Sequence, residues 1–123
     1  MRLATRTHGM LDYAAGVLYM AAPWLLGFAR GGPETWIFVV LGAASIALAL
    51  VTDYELGVLR RVDVPVHLFL DAGGGVLLAV SPWLFGFDTE VWIPHVVAGL
   101  LDIGVAAVTN TIPGYERRGA RQA

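Results

Sequence analysis

The chain has 123 residues and no cysteine, and 57% of its residues are hydrophobic. Soluble domains contain about 45 to 50% apolar residues, so we predict a membrane protein with a single membrane domain, residues 1–123. The lack of cysteine excludes disulfides, thiolate nucleophiles and iron–sulfur clusters. The formal net charge of −2 gives no reason to expect nucleic acid as a partner.

Four mostly apolar segments each approach the roughly 20 residues that a spanning helix needs. We therefore predict transmembrane helices at about residues 7–28, 34–53, 64–87 and 91–110. The predicted fold class is all-α, a polytopic membrane protein with four transmembrane helices.

The third predicted helix repeats the first. His67 to Phe87 aligns with His8 to Phe28 without a gap, at an offset of 59 residues (67 minus 8), and 11 of the 21 aligned positions are identical. The second and fourth helices align at an offset of 57 (109 minus 52), which pairs Thr52 with Thr109. We predict a tandem duplication of a two-helix hairpin with pseudo-twofold symmetry. Repeat one spans 8–57 and repeat two spans 67–115.

Arginine is distributed unevenly between the two predicted sides of the membrane. Seven of the eight arginines fall on one side, and only Arg30 falls on the other. The seven are Arg2, Arg6, Arg60, Arg61, Arg117, Arg118 and Arg121. Cytoplasmic loops carry the excess of positive charge. We therefore predict a multi-pass protein of the cell membrane, with both termini and the central linker in the cytoplasm.

Each repeat carries a Pro-Trp motif at the outer end of its first helix, Ala22-Pro23-Trp24 in repeat one and Ser81-Pro82-Trp83 in repeat two. Proline bends or ends a helix, and tryptophan favours the membrane interface. We therefore interpret Pro23, Trp24, Pro82 and Trp83 as interfacial bends with anchors.

The two Pro-Trp motifs each follow a histidine by fifteen residues (23 minus 8), and that histidine begins a His-x-x-x-Asp spacing. This combination resembles the SPW-repeat family of small prokaryotic integral membrane proteins, although the first copy has Ala22 in place of serine. The resemblance covers residues 8 to about 115 and implies a four-helix membrane module from a duplicated hairpin, located in the prokaryotic inner membrane. No biochemical activity is assigned to that family, so the resemblance implies no catalytic residues.

Five ionisable residues within the predicted spans form a candidate polar cluster, because such residues are costly in a membrane and often functional. His8 and Asp12 are four residues apart, as are His67 and Asp71, so each pair shares one helix face. Asp102 lies deeper in the fourth helix and has no cationic partner there, so we expect it to be neutral and to donate a hydrogen bond to a neighbouring helix. We predict that these side chains line one cavity facing the cytoplasm.

Three interpretations of this cluster remain open. The first is that these side chains form interhelical hydrogen bonds that only stabilise the fold, and this is the interpretation we favour. A proton or ion pathway is the second, and a metal site from two histidines and two aspartates is the third. The ligand spacing matches no dedicated metal motif, so we predict no cofactor. No nucleophile with a partnering base is visible, which disfavours an enzyme and gives no catalytic residue.

We accordingly interpret the protein as a structural or accessory module of a membrane assembly. The alternative is a small proton, ion or solute transport unit, or a metal-binding site, built on the His/Asp cluster. The expected partners are the lipid bilayer and a membrane protein or second copy, bound through small-residue faces. Those faces are Ala43-x-x-x-Ala47 and Gly75-x-x-x-Ala79.

Overall fold

The computed structural model describes residues 2–116, which contain four long α-helices. They are α1 (Thr5–Leu25), α2 (Pro33–Val51), α3 (Val64–Leu84) and α4 (Ile93–Val108). The predicted all-α class is confirmed. Arg117, Arg118 and Arg121, which contribute to the predicted charge asymmetry, lie outside the described residues.

Three of the helices begin with a proline in their first turn, namely Pro33 in α2, Pro65 in α3 and Pro94 in α4. Proline is tolerated there because the first backbone N–H groups of a helix have no partner within it. Helices α2 and α3 are long and apolar enough to cross a membrane, and α4 is a shorter apolar helix of 16 residues.

Paired glycines bring the helices together within each hairpin. A Cβ added to Gly42 of α2 would lie 2.6 Å from the carbonyl oxygen of Gly16 in α1, and one added to Gly99 of α4 would lie 2.4 Å from that of Gly75 in α3. Both distances are below van der Waals contact with backbone atoms that cannot move aside. Helix α1 therefore packs closely on α2, and α3 packs in the same way on α4.

Two short parallel backbone bridges tie the start of one hairpin to the end of the other. Val62, before α3, pairs with Thr52, after α2, while Leu3, before α1, pairs with Thr109, after α4. The second bridge includes a hydrogen bond from the Leu3 N–H to the Val108 carbonyl oxygen at 2.7 Å. The four helices therefore form a closed ring in space, although the chain is linear.

The interior has two apolar clusters, one at each end of the bundle. One surrounds Tyr54 and Leu68, and the other surrounds Phe38 and Leu78. A cavity of about 780 Å³ lies between the hairpins and is lined by residues of all four helices. The two hairpins are thus packed tightly within themselves and more openly against each other.

Candidate functional site

Four side chains of α1 and α3 meet in one cluster, called here the polar quartet: His8, Asp12, His67 and Asp71. His8 Nε2 lies 3.1 Å from Asp12 Oδ1 of its own helix and 2.8 Å from Asp71 Oδ2 of the other. His67 Nε2 lies 3.0 Å from an oxygen of each carboxylate. Each histidine therefore contacts both carboxylates, one in its own helix and one across the bundle.

A threonine at the end of the neighbouring helix holds the far nitrogen of each histidine. His8 Nδ1 lies 2.8 Å from Thr109 Oγ1, and His67 Nδ1 lies 2.6 Å from Thr52 Oγ1. Each threonine hydroxyl donates its one hydrogen to a backbone carbonyl oxygen four residues earlier. It can then only accept from the imidazole, so both histidines carry a proton on Nδ1. Their Nε2 atoms consequently face the carboxylates.

The linker between α2 and α3 covers the quartet. Tyr54 is 1% exposed, donates its hydroxyl to Asp12 Oδ2 at 2.8 Å, and places its ring 5.4 Å from that of His67. Next to it, Glu55 accepts a hydrogen bond of 2.8 Å from the Thr5 hydroxyl of α1. Burial, with the Asp12 carboxylate beside it, raises the pKa of Tyr54 above its ordinary value, so its hydroxyl remains a donor.

Asp102 lies apart from the quartet, on the wall of the cavity between the hairpins. The Tyr19 hydroxyl of α1 donates to its carboxyl oxygen at 2.7 Å. That partner is on a neighbouring helix, and in this contact the tyrosine is the donor and the carboxyl group is the acceptor. Three members of the quartet, His8, Asp12 and Asp71, line the same cavity. The remaining residues that line the cavity are mostly leucine, alanine and valine. The cavity is therefore largely apolar, with its carboxyl and imidazole groups contributed by Asp102 and these three residues.

The opposite end of the bundle holds four aromatic rings, called here the aromatic quartet: Phe28, Phe38, Phe87 and His95. The ring centroid of His95 lies 4.7 Å from Phe38, 4.8 Å from Phe87 and 5.2 Å from Phe28. His95 donates from Nε2 to the Glu34 carbonyl oxygen at 2.9 Å, while its buried Nδ1 has no hydrogen-bond partner within the described part of the chain. This histidine is structurally separate from His8 and His67.

The Pro-Trp motifs form the C-terminal caps of α1 and α3. After α1, Gly27 adopts a φ of 75° and the Phe28 N–H donates to the Pro23 carbonyl oxygen at 3.0 Å. After α3, the corresponding glycine has a φ of 76° and the Phe87 N–H donates to the Pro82 carbonyl oxygen at 2.8 Å. This is the Schellman arrangement, which needs a residue with positive φ. It turns each phenylalanine back into the aromatic quartet.

The prolines and tryptophans of the motifs have different surroundings. Pro23 and Pro82 are buried, whereas Trp24 and Trp83 are 59% and 55% exposed. The Trp83 ring lies 6.2 Å from that of Trp92, which is also exposed. The motif therefore combines a buried helix end with an outward-facing aromatic side chain.

A family model described as SPW repeat domain matches residues 6–109. The matched segment is 104 residues long (109 minus 6 plus 1), most of the chain, and contains both Pro-Trp motifs and the whole polar quartet. The chain belongs to the SPW-repeat family. The resemblance drawn from the motifs is thereby confirmed. No curated protein and no solved structure matches the chain significantly.

The polar quartet of this SPW-repeat protein offers two imidazole nitrogens and two carboxylates within 4.8 Å of one another. Carboxylates taken out of water need a positive partner. In the described residues, the ion pairs of Asp12 and Asp71 involve only His8 and His67. The centre can therefore be made neutral in two ways, by protons on the imidazoles or by a bound cation.

Sequence reasoning did not assign a role at this centre to Thr52, Thr109, Tyr54 or Tyr19. The two threonines have a usable signal, because they align with each other and end the second helix of each repeat. The two tyrosines have no counterpart at the aligned positions, which hold Leu78 for Tyr19 (19 plus 59) and Thr111 for Tyr54 (54 plus 57). Their contacts depend on the tertiary packing of the SPW-repeat fold.

Proposed function

We propose that this SPW-repeat protein crosses the membrane four times and that the polar quartet is a buried cation-handling centre of a small transport unit. The observation that carries this proposal is the convergence of two carboxylates and two imidazoles from α1 and α3, with ligand atoms within 4.8 Å, beside the cavity between the hairpins. Ionisable groups at such positions in membrane proteins mark ion and proton pathways.

The proposed topology places the N-terminus and the linker between α2 and α3 in the cytoplasm. The closely packed glycine pairs, the caps and the histidine–threonine contacts recur at aligned positions, which supports a duplicated hairpin with pseudo-twofold symmetry. The chain lacks cysteine, so single cysteines at Gly32 and Arg60 provide a clean test. In intact cells an impermeant reagent is expected to label the former and spare the latter, and the reverse pattern would invert the topology.

Vesicle reconstitution tests the transport proposal. Protein-containing vesicles carry a pH-sensitive or divalent-cation-sensitive dye inside, and an imposed gradient drives the flux. We expect a cation flux above that of empty vesicles, and we expect Asp71→Asn to abolish it because the amide cannot supply the negative charge. His95→Phe is the control, since His95 lies in the aromatic quartet. Equal signals from protein-containing and empty vesicles would reject transport.

A second candidate function is the structural or accessory module of a membrane assembly. The observation that favours it is that Ala43 and Ala47 are exposed on α2, whereas Gly75 and Ala79 pack against Gly99 within their own hairpin. Small exposed residues permit close approach of another helix. Ala43→Leu is expected to separate the protein from a copy or partner that co-purifies in mild detergent, with Val40→Leu, also on the exposed surface of α2, as the control.

A further inference from the structure

We infer that the polar quartet binds one divalent transition-metal ion through Nε2 of His8 and His67 and one carboxylate oxygen each of Asp12 and Asp71. This inference deepens the proposed function and rests on the quartet being a cation-handling centre. Imidazole nitrogen suits zinc and iron, while magnesium and calcium prefer oxygen ligands alone. The ligand set therefore favours an ion of the zinc and iron class.

The orientation of His67 supports a metal ligand over a simple hydrogen-bond donor. This side chain is 1% exposed, and its Nε2 lies 3.0 Å from an oxygen of each carboxylate. Despite those distances, this nitrogen makes no hydrogen bond of acceptable geometry with any residue from 2 to 116. It is equidistant from the two carboxylate oxygens and aligned for a hydrogen bond with neither, which leaves it available as a ligand.

The dimensions of the quartet suit a metal ion. All four ligand atoms lie within 4.8 Å of one another. Two atoms that share a centre at about 2.0 to 2.2 Å, the usual length of zinc bonds to histidine and aspartate, lie at most about 4.4 Å apart, so metal binding would draw the outermost ligand atoms closer together. Two neutral imidazoles and two carboxylates carry a charge of −2, which one divalent ion neutralises.

The surrounding hydrogen bonds match those that support metal ligands in proteins. Metal-bound histidine almost always donates its other ring N–H to an oxygen acceptor, which fixes the ring and exposes the ligand nitrogen. Thr109 and Thr52 provide that acceptor for His8 and His67. Tyr54 donates to Asp12, which holds one carboxylate in the same way. We assign the two threonines and Tyr54 as positioning residues.

Equilibrium dialysis of the purified full chain against Zn²⁺, with Co²⁺ as a spectroscopic probe, tests the site. We expect one ion per chain, Co²⁺ absorption bands typical of low coordination number, and no competition from Mg²⁺ or Ca²⁺. Asp71→Asn and His67→Ala are expected to remove the bound ion. His95→Phe is the matched control because it changes a buried histidine outside the quartet. Absence of stoichiometric binding by the wild type would overturn the inference.

The threonines provide a second test that does not depend on removing a ligand. Thr52→Val removes the acceptor of the His67 Nδ1–H and is expected to weaken Zn²⁺ binding by about 10- to 100-fold. Thr52→Ser keeps the hydroxyl and is expected to retain the wild-type affinity. Helical circular dichroism of both variants verifies that they are folded. Equal affinities for the valine and serine variants would contradict the assigned role of Thr52.

The two proposals can fail separately. Proton flux in vesicles without any Zn²⁺ or Co²⁺ binding would refute the metal site and leave the transport unit standing. One bound ion per chain without any cation flux would support the metal site and refute transport, since the ion would then be a resident part of the fold.

Discussion

The two ends of the bundle are built from aligned positions but use opposite chemistry. At the polar end, His8 and His67 occupy equivalent places, and each has both a threonine acceptor and two carboxylates. At the aromatic end, Phe38 aligns with His95 (38 plus 57), so three hydrocarbon rings surround a single imidazole. A buried histidine thus faces two carboxylates at one end of the bundle and three aromatic rings at the other.

Under the proposed function, the polar end serves cation binding and the aromatic end serves packing. Buried charges are more readily explained by function than by stability, because replacing them with apolar groups is often neutral or stabilising. Aromatic rings packed against one another stabilise a fold through contact alone. Substitutions at the two ends should therefore change the free energy of unfolding by different amounts and in different directions.

The largest effect is expected from His67→Ala at the polar end. Without this imidazole, the buried Asp12 and the partly buried Asp71 lose a shared partner, and breaking a buried ion pair costs about 3 to 5 kcal/mol. Denaturant titration in mild detergent, followed by helical circular dichroism, measures the change. His8→Ala should cost a similar amount because His8 makes the equivalent contacts. A large difference between the two variants would show that the quartet is functionally asymmetric.

The next largest effect is expected within the second hairpin, where α3 packs closely on α4. Gly99→Ala would place a Cβ 2.4 Å from the Gly75 carbonyl oxygen and should destabilise the fold by about 1 to 3 kcal/mol. Gly73→Ala is the control, because a Cβ there meets nothing within 4 Å and alanine is the better helix former by about 1 kcal/mol. Similar unfolding curves for the two variants would disprove the close packing of α3 on α4.

A smaller loss is expected from Gly86→Ala at the aromatic end. Its φ of 76° is costly for alanine, by about 1 to 2 kcal/mol, although the added Cβ has open space around it. The altered cap should also loosen Phe87, which differential quenching of the neighbouring tryptophans reports. Gly86→Asn should recover part of the loss since asparagine tolerates positive φ. If asparagine is no better than alanine, backbone strain is not the cause.

A gain in stability of about 1 kcal/mol is expected from His95→Phe. The substitution removes a buried Nδ1 that has no partner among the described residues, and such a group costs about 1 to 3 kcal/mol. It also removes the hydrogen bond from Nε2 to the Glu34 carbonyl oxygen, which contributes about 1 kcal/mol. The Glu34 carbonyl oxygen retains a partner in the helix. Denaturant titration measures the gain. A loss above about 1 kcal/mol would mean that His95 is more than a packing residue.

The smallest effect concerns the surface of the polar end, where Tyr115 donates to the Asp53 carboxylate. This hydrogen bond raises the pKa of Tyr115 from 10.0 to about 12. Any stabilisation from the bond is present below pH 10 and is lost as the pH rises through about 12. Tyrosinate absorbance should show this late titration, and Asp53→Asn should shift it toward the ordinary pKa. An unchanged titration would indicate that the bond does not persist in solution.

The sequence predicted the helices and the two His/Asp pairs because both follow from local spacing. An i, i+4 pair on a helix must share a face, so His8 with Asp12 required no knowledge of the fold. The contact between His8 and Asp71 depends on how α1 and α3 are placed relative to each other. Spacing within one helix carries no information on that placement. Only the two ion pairs of the quartet that lie within one helix were therefore predictable, and the two between α1 and α3 were not.

The roles of Tyr19 and of the cap glycines illustrate two further limits. Tyr19 was indistinguishable from the other apolar and aromatic residues of its segment, and only the proximity of α4 identifies it as the partner of Asp102. The bends were predicted from Pro23 and Pro82, but the positive φ of Gly27 and Gly86, which returns a phenylalanine to the core, requires backbone coordinates. The sequence therefore predicted the elements and their polar faces, and missed the contacts between elements.

The bridge between Leu3 and Thr109 places the start of α1 beside the end of α4. The start of α3 is bridged to the end of α2 in the same way. The chain could therefore begin at either hairpin and keep the same contacts between helices. A circularly permuted chain that opens at Val58 and joins residue 116 to residue 2 through a short linker should build the same ring and the same polar quartet. A single hairpin of this design, with no second copy fused to it, would have to pair with another molecule to complete its histidine and carboxylate partners.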